Sequence, residues 1–327
     1  MKNVENVDWS SHQLIGRSPE FESVINATNI ISKLDVPVLL LGENGTGKEL
    51  FARAIHDNSP RHINNFVAIN CAAVPEPLFE SELFGFRKGS FTSADKNYDG
   101  KIRAASNGTL FLDEIAELSP ASQAKLLRFL ETSECQSLGQ QGCDIVNVRV
   151  IAATNQNLPE LAATNKFRKD LYYRLNVVPL QIPALRDRNS DIPLLIEYFT
   201  EQFSAKHNLP APGYDKATIK QLMRYKWPGN VREIRNLCER MVVFHAGQKI
   251  TADRLPAEYG DAQTASRFSG FNSFMNEAMP LGQFEKSLIS SALEATKGNQ
   301  TKAARLLGIT RDALIYRMKK YDISLVR

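Results

Sequence analysis

A glycine-rich segment between two apolar patterns carries the clearest chemical signal in the chain. It has the sequence GENGTGKE at residues 42–49, and the short apolar run VPVLLL at 36–41 precedes it. A helical pattern begins at its last residue. Glycines let backbone N–H groups converge on phosphate oxygens at the start of a helix, where a lysine adds a point charge. We therefore expect a phosphate-binding loop made of Gly42, Glu43, Asn44, Gly45, Thr46, Gly47, Lys48 and Glu49.

Two residues of this loop have contrasting expected roles. Lys48 would reach the β and γ phosphates of a nucleoside triphosphate. Glu49 stands where the generic pattern has Ser or Thr, whose hydroxyl binds magnesium. Other residues must therefore hold most of the metal.

Two acidic residues end another apolar run, GTLFLDE at 108–114. Asp113 would hold Mg²⁺ through water, and Glu114 would orient or deprotonate the attacking water. A further run, VRVIAATN at 148–155, ends in Thr154 and Asn155, where an amide would sense the γ-phosphate. The chemistry predicted is ATP hydrolysis.

The elements that must position these residues alternate between strand and helix. Apolar runs also occur at 65–70 and 177–183, and segments with helical spacing separate them. This alternation predicts an α/β fold with a parallel sheet. After Pro183 the pattern becomes helical, and a polar stretch precedes a last helical unit. The predicted parts are a tail at 1–13, an α/β part at 14–184, a helical part at 185–258, a linker at 259–280 and a final domain at 281–327.

Composition limits the classes of protein. The 327 residues are 43% apolar and 23% charged, which is typical of a soluble chain with more than one domain. There is no apolar run long enough for a signal peptide or a membrane span, so we expect a cytoplasmic protein without membrane insertion. The cysteines lack metal-ligand spacing, which indicates neither zinc nor a disulfide framework.

The C-terminal segment combines positive charge with a helical hairpin pattern. Residues 281–327 contain nine Lys or Arg and four Asp or Glu, so their net charge is +5. Within them, 298–321 shows two short helical patterns, and Thr310 is placed to cap the second. A basic terminal unit favours contact with a polyanion.

Together these strings resemble the bacterial enhancer-binding proteins, which are AAA+ activators of sigma-54 RNA polymerase. The resemblance runs from about Leu14 to Arg327, and the terminal hairpin is similar to a Fis-type helix-turn-helix. It implies an AAA+ P-loop parallel sheet with a helical lid, followed by an all-α DNA-binding domain. The matching strings are GENGTGKE, FVAINCAA, ESELFG, GTLFLDEI, AATN, FRKDLYYRL, IPALRDRNSDI and WPGNVREIRN.

The resemblance also implies roles at the nucleotide site. Asn70 would be the switch residue that pairs with Glu114. Thr154 and Asn155 correspond to sensor I, and Arg232 of WPGNVREIRN corresponds to sensor II. The implied ligands are ATP and Mg²⁺.

Two arginines of FRKDLYYRL, Arg168 and Arg174, fall where the family has arginine fingers that reach a neighbouring subunit's γ-phosphate. A finger supplied by another subunit makes hydrolysis depend on assembly, because a monomer lacks its charge in the transition state. The implied assembly is a self-associated ring, hexameric by analogy.

A loop in the family carries the sequence GAFTGA, which contacts sigma-54, and here it reads GSFTSA. Two interpretations stay open. The loop still engages sigma-54 polymerase, or the protein is a DNA-binding regulator that acts without sigma-54 and uses ATP to control oligomerisation. The loss of a glycine removes backbone freedom and supports the second. We favour the first, because the contacting aromatic and hydroxyl residues, Phe91 and Thr92, are retained. The six positions are Gly89, Ser90, Phe91, Thr92, Ser93 and Ala94.

By the docking of related helix-turn-helix domains, the C-terminal hairpin would bind double-stranded DNA at enhancer-like upstream sites. Another AAA+ remodeller, such as a helicase loader, is disfavoured by this hairpin and by the WPGN string. Only about fourteen residues precede the match, so we expect no receiver domain and control by a separate regulatory protein or by expression level. The DNA-contacting residues expected are Lys302, Thr310, Arg311, Ala313, Tyr316, Lys319 and Lys320.

Overall fold

The computed structural model describes residues 12–90 and 95–260, and in the C-terminal part 286, 289–290, 292–293, 296, 298–307, 309–321 and 323. They belong to two compact units, Met1–Ala252 and Asp253–Arg327, each described by itself. Within the described residues, the helices are all too short or too polar to cross a bilayer.

A five-stranded parallel sheet organises the first unit. Its strands lie in the order β2 (Phe66–Asn70), β3 (Thr109–Asp113), β6 (Arg149–Thr154), β1 (Val38–Leu41) and β7 (Val178–Gln181). The predicted α/β fold is confirmed, and all five predicted runs are strands of this sheet. Two shorter strands form a separate hairpin, and two more form a small parallel pair. The hairpin strands are β4 Glu134–Cys135 and β5 Asp144–Ile145, and the parallel pair is β8 Gly213–Tyr214 and β9 Lys249–Ile250.

Strand β1, which lies between β6 and β7, explains why the predicted runs are continuously apolar. Leu39 points into the core on one face of the sheet, whereas Val38 and Leu40 point into the core on the other. Helices cover both faces, so every side chain of the strand centre is buried, as parallel sheets require. Burying each such leucine contributes about 2 kcal/mol.

Helices pack on the two faces of this sheet. Two of them begin at Ser-Pro: Ser18 and Ser119 each accept a hydrogen bond from a backbone N–H in the first turn of the following helix. The helices are α1 Pro19–Ser32, α2 Lys48–Asp57, α3 Glu76–Phe84, α4 Gly100–Ala104, α5 Pro120–Thr132, α6 Leu158–Ala163 and α7 Lys169–Leu175.

The strand register sets the position of the site. Leu41 of β1 lies opposite Thr154 of β6, and Asn70 of β2 lies opposite Asp113 of β3. The strands therefore end at the same edge of the sheet. Loops that leave this edge carry the phosphate loop and the predicted acids, as ligand sites in open α/β sheets do.

The part after β7 is mostly helical, as predicted. It contains α8 Ile192–His207, α9 Lys216–Arg224 and α10 Asn230–Phe244. The β8–β9 pair also lies here, which the sequence pattern did not predict. Strands of two residues are too short to produce a periodic signal.

The described part of the second unit contains α11 Gln300–Leu306 and α12 Arg311–Lys320. Thr310 accepts a hydrogen bond from the N–H of Ala313 at 3.3 Å, so the predicted cap is confirmed. Ala303, Leu314 and Met318 are buried in a small shared core. This is the hairpin that the sequence predicted.

We predict that Gly100→Ala lowers the free energy of unfolding by about 3 kcal/mol. Gly100 has φ +79°, and a Cβ there would lie 2.4 Å from the backbone nitrogen of Gly85. The matched control is Gly142→Ala, because Gly142 has φ +110° with open space around it. The control should cost about 1 kcal/mol, from backbone conformation alone. Urea denaturation measures both, and equal losses would show that the close contact is unimportant.

Candidate functional site

The phosphate loop wraps around the side chain of Lys48. The loop passes through left-handed conformations at Gly45 and Gly47, with φ of 80° and 100°, which only glycine adopts readily. Lys48 is the first residue of α2 and is 7% exposed. Its Nζ donates to the carbonyl oxygen of Gly42 at 2.9 Å and lies 3.4 Å from that of Glu43. The ammonium group is therefore held within its own loop.

Burial makes the charge of Lys48 responsive to its neighbours. Desolvation lowers the pKa of Lys48, whereas attraction by Glu114 and Asp113 opposes that shift. The side chain of Arg232 acts in the same direction as burial. The nearest acid is Glu114, whose Oε1 lies 4.0 Å from Nζ. An anionic phosphate at this point would replace the missing solvation.

The predicted switch residue contacts a different acid from the one expected. Nδ2 of Asn70 lies 3.5 Å from Oδ2 of Asp113, and the carboxylate of Glu114 faces Lys48 instead. The expected pairing of Asn70 with Glu114 is therefore not present in this structure. Asn70 and Asp113 are register partners on adjacent strands, whereas Glu114 has a left-handed backbone with φ 51° that turns it away from the strand.

The other loop residues have structural partners. Oγ1 of Thr46 donates to the carbonyl of Glu43 at 2.8 Å, which stabilises the turn. Glu49 is 61% exposed and pairs with Arg53 one helical turn away, at 3.7 Å. The structure thus places Glu49 on the outer side of α2.

The predicted sensor residues of β6 lie beside the loop. The N–H of Gly42 donates to the carbonyl of Thr154 at 3.3 Å, and Thr154 is fully buried. Asn155 is exposed and lines a cavity of about 320 Å³ together with Gly42 and Tyr172. The structure therefore brings Asn155 to the same edge as the phosphate loop.

The helical part lies directly on the phosphate loop. The N–H groups of Val231 and Arg232, in the first turn of α10, point to the carbonyl of Gly45 at 3.0 and 3.3 Å. A Cβ on Gly45 would lie 2.2 Å from the carbonyl oxygen of Gly229. The backbone of Arg232, the predicted sensor II, is fixed on the loop, and its side chain is exposed.

A second connection joins the loop to the helical part, and it was not predicted from the sequence. Asn230 is fully buried, and its side chain bridges the N–H of Leu185, the carbonyl of Asn44 and the carboxylate of Glu43. Arg186 makes two hydrogen bonds to the same carboxylate, at 2.8 and 2.5 Å. The WPGN string is the sequence signal that could have indicated this connection. Asparagine tolerates a left-handed backbone, and Asn230, which follows Pro-Gly, has φ 50°.

A third connection fixes the segment before α1. The carboxylate of Asp191 is 1% exposed and accepts from the N–H groups of Arg17 and Ser18 at 2.7 and 2.8 Å. Arg188 stacks on the ring of Phe21, and burial lowers the pKa of its guanidinium to about 10. The IPALRDRNSDI string therefore ties residues 17–18 to the helical part.

The two predicted arginine fingers lie at α7, and both are exposed. Arg168 pairs with Asp170 at 2.7 Å, and Arg174 donates to the carbonyl of Leu130 at 2.7 Å. Among the described residues, neither hydrogen-bonds to the phosphate loop of its own chain. Their exposure leaves them accessible to another molecule.

The described residues on either side of the predicted polymerase loop form a paired stem. Phe86 bridges Tyr98 in antiparallel fashion and Leu138 in parallel fashion. Arg103 joins the surrounding segments, because its guanidinium donates to the carbonyls of Phe84 and Cys135, each at 2.8 Å, and to Asp144. At the stem, Gly89 has φ 82°, and Ser90 approaches Gly139. The remaining predicted positions lie outside the described residues: Phe91, Thr92, Ser93 and Ala94.

The predicted DNA-contacting residues lie mostly on the surface of the hairpin. Tyr316 is 70% exposed on α12, and Ala313 is partly buried. The hydroxyl of Thr310 is engaged in the cap. The other exposed members are Lys302, Arg311, Lys319 and Lys320. Basic side chains thus surround an exposed aromatic residue.

Comparison with known proteins agrees with this architecture. Residues 14–181 match the sigma-54 interaction domain, 186–269 the AAA+ ATPase lid domain and 280–321 the Fis family of bacterial regulatory proteins. The sheet, phosphate loop and lid define an AAA+ P-loop protein. The chain belongs to the sigma-54-dependent transcriptional activators and carries a Fis-type helix-turn-helix.

Similarity over nearly the whole of this chain, and about two thirds of each relative, supports the same family. The transcriptional regulatory protein ZraR of Salmonella typhimurium is 43% identical over 307 residues, which cover 94% of this chain and 68% of ZraR. The regulator NtrC of Azospirillum brasilense is 40% identical, with 96% of this chain and 70% of NtrC covered. The crystal structure of NtrX from Brucella abortus with ADP is 31% identical, with a TM-score of 0.75, over 95% of this chain and 69% of that one.

We predict that Ser90→Ala raises the free energy of unfolding by about 1 kcal/mol. The Ser90 hydroxyl oxygen is buried and has no hydrogen-bond partner in the described part of the chain. The control is Ser119→Ala, which removes a cap that accepts from the N–H of Ser122 and should lower stability by about 1 kcal/mol. Urea denaturation distinguishes the two signs. A loss of stability in Ser90→Ala would mean that its hydroxyl makes a favourable contact.

Proposed function

We propose that this protein hydrolyses ATP in a ring of identical subunits and uses the reaction to remodel sigma-54 RNA polymerase while bound to upstream DNA. The observation that carries the proposal is the buried ammonium group of Lys48, held in a glycine loop at 4.0 Å from Glu114. Such a charge is costly unless an anion compensates it. A triphosphate is the anion that this loop geometry favours.

The residues of the site divide the work of hydrolysis. Lys48 would bind the β and γ phosphates, and Asp113 would hold, through water, the Mg²⁺ that neutralises their charge. One carboxylate with phosphate oxygens and water is a ligand set that Mg²⁺ prefers, so these residues fit the metal. When phosphate engages Lys48, Glu114 loses its partner and is free to accept a proton from the attacking water. Asn155 orients that water from the end of β6.

Positive charge from a neighbouring subunit completes the site. Arg168 and Arg174 are exposed, and their partners within the chain are Asp170 and a carbonyl oxygen. In the ring, each arginine leaves its partner within the chain and binds the γ-phosphate held by the neighbouring subunit. The proposed division of the chain is an ATPase part at 14–184, a lid at 185–258, a linker at 259–280 and a DNA-binding domain at 281–327.

The C-terminal hairpin supplies the DNA contact of the proposed activator. Arg311, Ala313 and Tyr316 face base edges in the major groove, and the lysines neutralise phosphates. Affinity then falls with salt by a slope of about −0.9 per phosphate contact. DNA binding keeps the ATPase near its promoter.

A second function is favoured by one observation. Ser93 replaces a glycine in GSFTSA, which restricts the backbone of the loop. In this alternative the protein regulates transcription without sigma-54, and ATP controls its oligomeric state.

We predict that Arg168→Ala binds ATP with wild-type affinity and loses about 10³-fold in turnover. The reason is that the finger acts on the transition state in a neighbouring subunit. Equilibrium binding and phosphate release measure the two properties. Lys169→Ala is the matched control, since Lys169 is an exposed cation next to Arg168 and should leave turnover unchanged.

Mixing subunits tests action between chains. Lys48→Ala should not bind ATP, but it retains its arginines. Added to Arg168→Ala, it should restore part of the turnover. Full turnover by dilute Arg168→Ala alone would refute the finger assignment.

We predict that Phe91→Ala abolishes transcription from a sigma-54 promoter and retains ATP hydrolysis, because Phe91 would contact sigma-54. Reconstituted transcription with purified polymerase and ATP measures activation, and phosphate release is the control. Wild-type protein that hydrolyses ATP and never activates this polymerase would favour the second function.

A further inference from the structure

We propose that Asn230, Glu43 and Arg186 form a positioning clasp that holds the lid on the phosphate loop and thereby sets the affinity for nucleotide. This inference rests on the proposed ATP binding and concerns how the chain controls it. The three residues come from the loop, from the segment before α8 and from the start of α10. None of them needs to touch the reacting atoms.

Asn230 is the buried centre of the clasp. Its Oδ1 accepts from the N–H of Leu185 at 2.7 Å. Its Nδ2 donates to the carbonyl of Asn44 at 3.0 Å and to Oε2 of Glu43 at 3.2 Å. Because Asn230 is fully buried, losing this amide would leave several polar groups without partners.

Arg186 and Glu43 form the outer half. Their side chains are 44% and 41% exposed, so this ion pair alone stabilises little. However, Oε2 of Glu43 accepts from both Arg186 and Asn230, which joins the exposed pair to the buried amide. These hydrogen bonds, with that of Arg186 the larger cause, hold the pKa of Glu43 below its usual value. The carboxylate therefore stays ionised and keeps both partners near neutral pH.

The clasp lies next to the contacts between α10 and Gly45, and in this way it holds the conformation of the phosphate loop. The N–H groups of Val231 and Arg232 point to the Gly45 carbonyl, and the next residue toward the N-terminus is Asn230. A Cβ on Gly45 would lie 2.2 Å from the carbonyl oxygen of Gly229, so the lid approaches the loop more closely than a side chain at this position would allow. When the clasp opens, a smaller fraction of molecules has the loop conformation that binds phosphate. The apparent affinity falls by that fraction.

Two substitutions that exchange the hydrogen-bond donor and acceptor between Asn230 and Glu43 test the clasp. Asn230→Asp keeps the size and the acceptor for Leu185, but it places a carboxylate against the carboxylate of Glu43. We expect a fluorescent ATP analogue to bind about tenfold more weakly to the full-length variant. Glu43→Gln supplies an amide donor from the other side. The double variant should therefore bind better than Asn230→Asp alone, within about threefold of wild type.

Turnover separates positioning from folding. The clasp variants should show a raised KM for ATP and a kcat within about twofold of wild type, because saturation selects the closed lid. A merely structural role would lower the active fraction, and so kcat, at unchanged KM. Arg186→Gln breaks only the exposed half, and it should raise KM by a smaller factor even if Asn230→Asp does not fold.

Glu239→Gln is the matched control. Glu239 pairs with Lys206 at 3.0 Å on the lid, away from the clasp, and its loss should leave KM unchanged. Additive losses in the double variant, or wild-type KM in Arg186→Gln, would overturn the clasp while wild-type protein still binds ATP. Absence of ATP binding by wild-type protein would instead overturn the proposed function together with this inference.

Discussion

The burial of one positive charge governs the arrangement of the site. Lys48 is 7% exposed, and its ammonium group is surrounded by carbonyl oxygens and the carboxylate of Glu114. Removing a cation from water costs free energy, so each neighbouring oxygen helps to stabilise the charged form of Lys48. The glycines bring the carbonyls close, and the end of β3 brings the acid. A phosphate bound at this site would add an anionic partner to the carbonyl oxygens and the carboxylate that already surround the ammonium group.

The lid is part of the same constraint. Its first turn presents N–H groups to the carbonyl of Gly45, and the side chain of Asn230 reaches the carbonyl of Asn44. The lid therefore holds the loop at the carbonyls of Asn44 and Gly45. Small changes in the loop will move α10, because packed elements adopt discrete arrangements and do not deform continuously. This gives a physical route from the nucleotide to the helical part.

A second rigid connection lies at the stem of the predicted polymerase loop. Arg103 donates to the carbonyls of Phe84 and Cys135, so one guanidinium ties α3 to the β4–β5 hairpin. Gly85 and Gly100 are in such close contact that a side chain on either would meet the backbone of the other segment. The described residues that flank 91–94 are thus held against α3, α4 and the β4–β5 hairpin.

The sequence by itself determined the five strands of the main sheet and named most residues of the candidate site. Apolar runs identified the strands that end at the site, and Thr310 marked a helix start, because periodicity and capping act within a few residues. The glycine pattern around Lys48 and the acids after β3 were visible for the same reason. The family resemblance added Asn70, Arg168 and Arg232, whose contacts no local pattern defines.

Only the tertiary structure decided which groups meet. Strand register set Asn70 against Asp113 and left Glu114 to Lys48, whereas the family resemblance had implied a pairing of Asn70 with Glu114. Asn230 and Glu43 are 187 residues apart, and nothing in either segment alone predicts their hydrogen bond. Such contacts depend on how the sheet and helices pack. Local sequence fixes what an element is, but a hydrogen bond between distant elements exists only after the core has set their distance and orientation.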